Sequence, residues 1–374
     1  MPNDAGWGLG TGTDPAQAPS PKPQASTVAD CSERELIARV RTHLPPTAPW
    51  VLVGIGDDAA VVEPERNRVD VLTVDAIVDG VHFDRAFTPP DAIGHRALAV
   101  NLSDLAAMGA APRLALLSMA LPPTLPLADF EAIVGGFAAL AARHRMQVVG
   151  GNLTRTPGPL MIDVTVSGTV KRRQALTRSG ARPGDDIYVS GTLGSARAGL
   201  ALLQSEFQLQ LQSQSQSEAG DCRLKTAYLR PEPRLALGIH LARNKAASAC
   251  MDLSDGLSDG LEQVADASGV GISNDADALP IDAAARAVFA ARGEEAVVEA
   301  LRGGDDYELL IAVRPRTQRR LSEAIRRGGV ALTRIGRCTA ARGITVRRAH
   351  AAPSVELPQG FRHFASVKGS RSEA

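Results

Sequence analysis

Apolar residues recur along this chain with two periods, and the switches between them lay out a run of strands and helices. Ser32 followed by Glu35 has the form of a capping box, and Leu36, Ile37 and Val40 behind it recur at helical spacing. Val51 to Val53 is a short apolar run that ends in Gly54-Ile55-Gly56, as a strand does when it delivers a turn. Val69 to Val74 predicts a second strand ending at Asp75, with the oxygens of Thr73 and Asp75 expected on alternate sides of that end. Asp91 to Met108 has a helical pattern through Ile93, Leu98, Leu102 and Leu105, and Gly109 follows as a C-cap. Leu114 to Leu121 predicts a strand, Asp129 to Arg143 a helix, and Gln147 to Val149 a buried strand ending at Gly150-Gly151. From Met161 to Val170, Ile162, Val164 and Val166 alternate with Asp163, Thr165 and Ser167, the pattern of a half-exposed strand.

The same alternation resumes after a linker at Lys171 to Gly184. Ile187 to Ser190 predicts a strand, Ser195 to Leu203 and Arg234 to Arg243 predict helices, and Leu309 to Val313 a late strand. Ser254 is positioned to cap a helix running to Ala267. Gln204 to Glu218 is rich in Gln and Ser and predicts a solvent-exposed insertion with no core to offer. Strands mixed with helices in both halves predict two α/β (α+β) domains. The expected boundaries are a leader over 1–29, an N-terminal domain over 30–170, a C-terminal domain over 171–366 with an insertion at 204–219, and a tail over 367–374.

Composition narrows the function. The 374 residues suffice for two domains with sizeable cores, and 41 basic residues balance 41 acidic ones. A formal net charge of zero supplies no global field for nucleic acid, so no nucleic-acid partner is expected. Cys31, Cys222, Cys250 and Cys338 share no C-x-x-C spacing and read as reduced thiols in a cytosolic protein. No uninterrupted apolar run is long enough to span a bilayer, and Met1 to Gln24 lacks the basic-then-apolar order of a signal. That opening stretch is expected to be a disordered leader in a cytoplasmic protein.

Charge distribution carries more than charge balance. Carboxylates gather in short clusters at glycine turns: Gly56-Asp57-Asp58, Asp75 with Asp79, Asp104, Asp252-Leu253-Ser254-Asp255-Gly256 and Gly303-Gly304-Asp305-Asp306. Each alone is an ordinary turn or cap, because Asp and Gly favour both. Together they demand more, since crowded carboxylates repel and their burial is costly. A bound cation relieves that cost. Hard oxygen ligands without a thiolate or histidine set point to Mg²⁺, and Mg²⁺ on few carboxylates commonly carries phosphates. Asp104 is informative by position, since Asp is disfavoured in a helix interior. Gly150-Gly151-Asn152 permits close backbone approach to a phosphate. The Asp252 to Gly256 stretch can cap a helix and face a phosphate at once.

Read in order, these stretches resemble the thiamine-monophosphate kinases, within the superfamily that includes aminoimidazole-ribotide synthetase and selenophosphate synthetase. The likeness rests on Gly54 to Ala59, Thr73-Val74-Asp75 with Gly80 to Phe83, and Ala99 to Ala110. It continues through Gly150-Gly151-Asn152, Leu176 to Gly180, Met251 to Leu257 and Gly303 to Leu309. The resemblance implies ATP-dependent phosphorylation of thiamine monophosphate with several Mg²⁺ ions, in a cytoplasmic homodimer. It implies a two-domain fold whose N-terminal sheet completes a barrel with a second copy. By motif position, Asp58, Thr73, Val74 through its backbone, Asp75, Asp104, Asp252 and Asp255 form the implied metal shell, with Asp57 and Asn152 beside them. Gly150, Gly151, Asn152, Arg178 and Ser254 are the implied ATP contacts, and His82, Asp305 and Phe361 the implied thiamine-phosphate contacts. Asp104 and Arg178 are the implied catalytic pair. The chain departs from the family at Asn152, where many members carry Asp, at Asp305, where Glu is commoner, and at Phe361, which lacks a hydroxyl.

The expected chemistry is in-line attack by a phosphate oxygen of thiamine monophosphate on the γ-phosphorus of ATP. That nucleophile is already anionic near neutral pH, because its second pKa is about 6, so positioning and charge stabilisation dominate. Two rivals stand beside this reading: another ATP-using superfamily member such as an aminoimidazole-ribotide synthetase, and a non-catalytic nucleotide or cation sensor. A Walker-type kinase is excluded, since no G-x-x-x-x-G-K-[ST] occurs.

Overall fold

A computed structural model describes residues 26–211, 222–348, 357, 358 and 360. Residues 1–25 of the expected leader, the expected tail and Phe361 lie outside the described residues. Residues 26–29 of the expected leader are ordered instead, with Thr27 bridged to Pro126 and Val28 buried against the first half. The first half contains α1 (Glu33–His43), β1 (Val51–Val53), β2 (Val61–Val62), β3 (Arg68–Val78), α2 (Pro90–Ala107), β4 (Ala111–Leu121), α3 (Leu127–Arg143), β5 (Gln147–Arg155) and β6 (Met161–Lys171). Ser32 caps α1 in the expected capping box. β3, β6, β4 and β5 form a four-stranded sheet in that order, parallel only between β4 and β5.

Helix α2 is the spine of this half. Its side chains are apolar or small on nearly every side, so it is buried all round, between the sheet, α3 and the second half. Close approach is what its neighbours' glycines permit. A Cβ at Gly136 of α3 would lie 1.9 Å from the Asp91 carbonyl oxygen of α2.

The second half contains β7 (Asp186–Ser190), α4 (Ser195–Leu211), α5 (Cys222–Leu229), α6 (Leu235–Asn244), β8 (Ala249–Asp252), α7 (Leu257–Ser268), β9 (Gly271–Asp275), α8 (Ala283–Ala291), α9 (Ala296–Arg302), β10 (Leu309–Val313), α10 (Gln318–Gly328), β11 (Leu332–Thr339) and β12 (Gly343–Arg347). A six-stranded sheet runs β12-β9-β11-β7-β10-β8. One large core is continuous across the halves: Leu98, Leu102 and Leu105 of α2 join Leu237 and Leu241 of α6 and Ile311 of β10.

Four local expectations change. β3 continues three residues past Asp75, because Ala76-Ile77-Val78 pairs on with β6. Thr73 and Asp75, two apart in a strand, therefore share one face rather than opposite ones. β5 runs through both glycines to Arg155, and a Cβ at Gly151 would overlap the Leu117 carbonyl oxygen of β4 at 1.8 Å. The glycine pair is thus an edge-strand feature. The N-cap of α7 is Gly256, with no side-chain cap bond, so Ser254 does not cap it. Finally, α4 extends through Gln204 to Leu211, where the Phe207 ring packs tilted against Phe87, centroids 6.1 Å apart, and Glu206 pairs with Lys225. That part of the expected insertion is packed helix; residues 212–221 lie outside the described residues.

Candidate active site

The sheet of the first half has two faces, and each carries part of the expected site. On the inner face, Thr73 and Asp75 of β3 look toward α2. Thr73 Oγ1 donates to Asp104 Oδ2 at 2.5 Å. One residue earlier on α2, Ser103 donates its hydroxyl to Asp252 Oδ2 at 2.7 Å, reaching the end of β8 in the other half. Thr73, Asp75, Asp104 and Asp252 are thereby gathered around α2 at the boundary of the two halves, with Asp255 also near enough to act on Asp75.

Electrostatics records the crowding. Surrounding protein and then the carboxylates of Asp104, Asp252, Asp255 and Asp163 raise the Asp75 carboxyl to about 7. Asp75 itself stays open to solvent, so repulsion from its neighbours is the firmer of those causes. Burial raises Asp104, against its Thr73 bond and the positive charge of Arg178. Burial and then Asp104 raise Asp252, against Ser103 and Arg178. Arg178, on the connector between the halves, is the cation that offsets this group, and its Nη1 is held by Gln263 Oε1.

Among the described residues no three carboxylate, imidazole or thiol groups converge on one point to hold an ion by themselves. The arrangement is open. It suits a small hard cation held by one or two carboxylates, with the remaining positions left to water or phosphate oxygens.

On the outer face, Asn152, Ser118, Asp163 and Ala76 form one row across β5, β4, β6 and β3. Asn152, Ser118 and Asp163 of this row floor a groove of about 1280 Å³, which Asp57, Asp58, Val74, Gly150 and Gly151 also line. Asp57 is partly engaged locally, accepting the Asp58 backbone N–H at 2.8 Å. The implied metal shell is therefore divided between two faces, and Asp163 on the outer one acts on Asp75 of the inner one through the sheet.

The last acidic turn resolves differently. Asp305 pairs with Arg96 of α2 at 2.5 Å. Asp306 accepts the backbone N–H of Gly194 at 2.8 Å and of Ala196 at 3.4 Å at the start of α4, and burial pushes its carboxyl up to about 8. Glu308 is gripped by Arg234 at 2.8 Å and 2.5 Å and by the Ser190 hydroxyl. This turn ties elements together and adds no carboxylate to the Asp75 group. Its backbone lies beside the Asp252 turn: Asp305 N–H donates to the Ser254 carbonyl at 2.7 Å and Tyr307 N–H to the Leu253 carbonyl at 3.0 Å.

His82 Nδ1 accepts the Val78 N–H at 3.1 Å, and its carbonyl accepts the Tyr228 hydroxyl at 3.4 Å. Tyr228 in turn lies under the Arg96 guanidinium, 4.6 Å from the ring centre. His82 and Asp305 are thus joined through Tyr228 and Arg96. Four contributors were missed in the sequence: Asp163, Ser103, Arg96 and Tyr228. A basic residue inside an otherwise apolar helix was the available signal for Arg96; the other three sit in ordinary patterns.

Comparison with known proteins sets this geometry in a family. The model for AIR synthase related protein, N-terminal domain, matches residues 56–170, and that for the C-terminal domain matches 182–348. The thiamine-monophosphate kinase of Salmonella typhimurium is 41% identical over 314 residues, covering 83% of this chain and 91% of that protein. The crystal structure of thiamine-monophosphate kinase from Stenotrophomonas maltophilia superposes with a TM-score of 0.73 at 41% identity, covering 84% of this chain and 96% of that one. A structure described as AaThiL complexed with AMPPCP and TMP gives 0.68 at 33% identity, covering 83% and 92%. The chain belongs to the AIR synthase related family and, within it, to the thiamine-monophosphate kinases.

Proposed function

We propose that this chain transfers the γ-phosphoryl group of ATP to thiamine monophosphate, yielding thiamine diphosphate and ADP. The observation that carries the reading is the meeting of Asp75, Asp104 and Asp252 across the domain boundary, with Thr73 and Ser103 orienting two of them. It is supported by the kinases of that name at 41% and 39% identity, and by the related structure whose description includes AMPPCP and TMP.

The residues fit Mg²⁺. Burial and then the neighbouring carboxylates raise the Asp75 carboxyl to about 7, and the second of these is the condition a divalent cation relieves. Asp75, Asp104, Asp252 and Asp255 would hold ions from the inner face, and Asp57, Asp58, the Val74 carbonyl and Asn152 from the outer one. Bound there, Mg²⁺ would supply charge neutralisation between two polyanions and a template for their alignment. Arg178 places a cation beside Asp104 and Asp252, where it can meet the transferring group. Gly150 and Gly151 would meet ATP through their backbone and Ser254 through its hydroxyl. The attacking phosphate is anionic at neutral pH, so no side chain is required to remove its proton.

A homodimer and a cytoplasmic location belong to the same proposal. Leu72 and Val74, on the outer face of the four-stranded sheet, are 71% and 56% exposed, an apolar surface suited to a second copy. Among the described residues no helix is long and apolar enough to cross a membrane.

Purified protein incubated with ATP, MgCl₂ and thiamine monophosphate should form thiamine diphosphate with equimolar ADP, read by anion-exchange chromatography. ADP without thiamine diphosphate would favour a different acceptor. ATP binding with neither product would favour the sensor.

A further inference from the structure

The guanidinium of Arg96 is 2% exposed and serves no substrate surface directly. It donates to the Tyr228 carbonyl at 2.7 Å, stacks at 4.6 Å over the Tyr228 ring and 6.0 Å from the Tyr307 ring, and pairs with Asp305 at 2.5 Å. Arg96 and Ser103 are seven residues apart on α2, two helical turns and about 10 Å along one face. Each reaches across the domain boundary, Arg96 to Asp305 and Ser103 to Asp252. On the far side those two endpoints are themselves tied, through the Asp305 and Tyr307 N–H groups bonding to Ser254 and Leu253. The contacts close a ring: Arg96, Asp305, Ser254, Asp252, Ser103, and back along the helix.

One link in this ring is conformationally costly. Asp305 and Tyr307 lie at φ 69° and 49°, the left-handed region. A tyrosine persists there only where its surroundings hold it. The Tyr307 hydroxyl donates to Asp305 Oδ1 at 3.2 Å, so the Arg96 contact stabilises both residues.

We propose that Arg96 is a positioning residue: its clasp on Asp305 sets the Asp252–Asp255 turn of one domain at a fixed distance from Asp104 of the other. The proposal rests on the kinase reading and assigns Asp305 to the clasp rather than to direct contact with the thiamine moiety. It concerns the mutual placement of the carboxylates, so its signature lies in turnover and divalent-ion binding, with substrate affinity spared.

Three variants of the full chain test it: Arg96→Met, Arg96→Lys, and Arg96→Met with Asp305→Asn, which removes both charges and keeps the pair's shape where Arg96→Met alone does not fold. The readouts are kcat, the KM for thiamine monophosphate, and Mn²⁺ affinity by calorimetry without nucleotide. Misplacement of reacting groups predicts kcat lower by about 10- to 100-fold in Arg96→Met and in the double variant. Mn²⁺ binding should weaken several-fold, KM should stay within about twofold, and Arg96→Lys should recover part of the loss. Unchanged kcat and Mn²⁺ affinity in a folded variant would overturn the proposal. So would a rise in KM with kcat intact, which would return Asp305 to the substrate. A wild-type protein that makes no thiamine diphosphate would instead sink the kinase reading.

Discussion

Ser103 on α2 and Asp252 at the end of β8 share a hydrogen bond of 2.7 Å that is buried between the two halves of the chain. The bond does two things at once. It satisfies a carboxylate that is only 5% exposed, and it sets that carboxylate beside Asp104, the next residue on the helix. Ser103→Ala should therefore cost about 1–3 kcal/mol, the usual penalty for depriving a buried acceptor of its donor. It should also raise the proton affinity of Asp252, since the hydroxyl bond is one of the influences lowering it. Chemical denaturation checks the first effect. The acid limb of the pH–rate profile, moved to higher pH, checks the second.

Asp75 makes the metal-free protein sensitive to pH, with a definite sign. Burial and the neighbouring carboxylates raise its carboxyl from 3.8 to about 7 in the fold. Between those values the folded chain keeps a proton that the unfolded chain has released. Stability from this group is thus present below the lower value and is lost as pH rises through the upper one. In a chelator, the thermal midpoint should fall between pH 5 and pH 8, and Asp75→Asn should flatten that fall. Asp306, raised to about 8, acts in the same direction and remains in the variant. Added Mg²⁺ should restore stability chiefly at the higher pH, where the site is ionised.

Asp104→Asn separates function from fold. The amide can still accept the Thr73 hydroxyl, so the local packing survives. Removing one charge from a repelling group should leave the metal-free protein as stable as the wild type or more so. Turnover should fall about 10²-fold or more, the scale seen when one electrostatic element of a polar site is deleted. Thermal melts in chelator alongside steady-state kinetics give both answers. A destabilised protein with normal turnover would remove Asp104 from the metal shell.

Much of this was legible in the residues, because period and composition act locally. The alternation at Ile162, Val164 and Val166 gave β6, and the unbroken apolar stripe around Asp104 gave α2. Boundaries failed where tertiary pairing overrides local signals. Asp75 looked terminal, yet β6 offers partners as far as Met161, so the strand continues to Val78. Gly150-Gly151 looked like a turn, yet the glycines allow β5 to lie tightly along β4. β9, β11 and β12 are hard to read from the chain, because Ser and Asn in β9 and Thr, Arg and Gly in the other two interrupt the apolar pattern. In the site, carboxylates could be counted but not sorted. Asp305, Asp306 and Glu308 are close in sequence to one another, but each finds a different partner in Arg96, the start of α4 and Arg234. Asp163 was hidden for the opposite reason, since an Asp on the polar side of a half-exposed strand is ordinary.

The proposed phosphoryl transfer requires carboxylates from both halves to hold divalent ions between two polyanionic substrates. Anomalous scattering from a crystal grown with Mn²⁺, a non-hydrolysable ATP analogue and thiamine monophosphate tests this most directly. Manganese peaks are expected about 2.0–2.3 Å from carboxylate oxygens of Asp75, Asp104 and Asp252 or Asp255, with nucleotide phosphate oxygens completing each shell. Nucleotide bound at a distance from these residues, with no manganese on them, would contradict it.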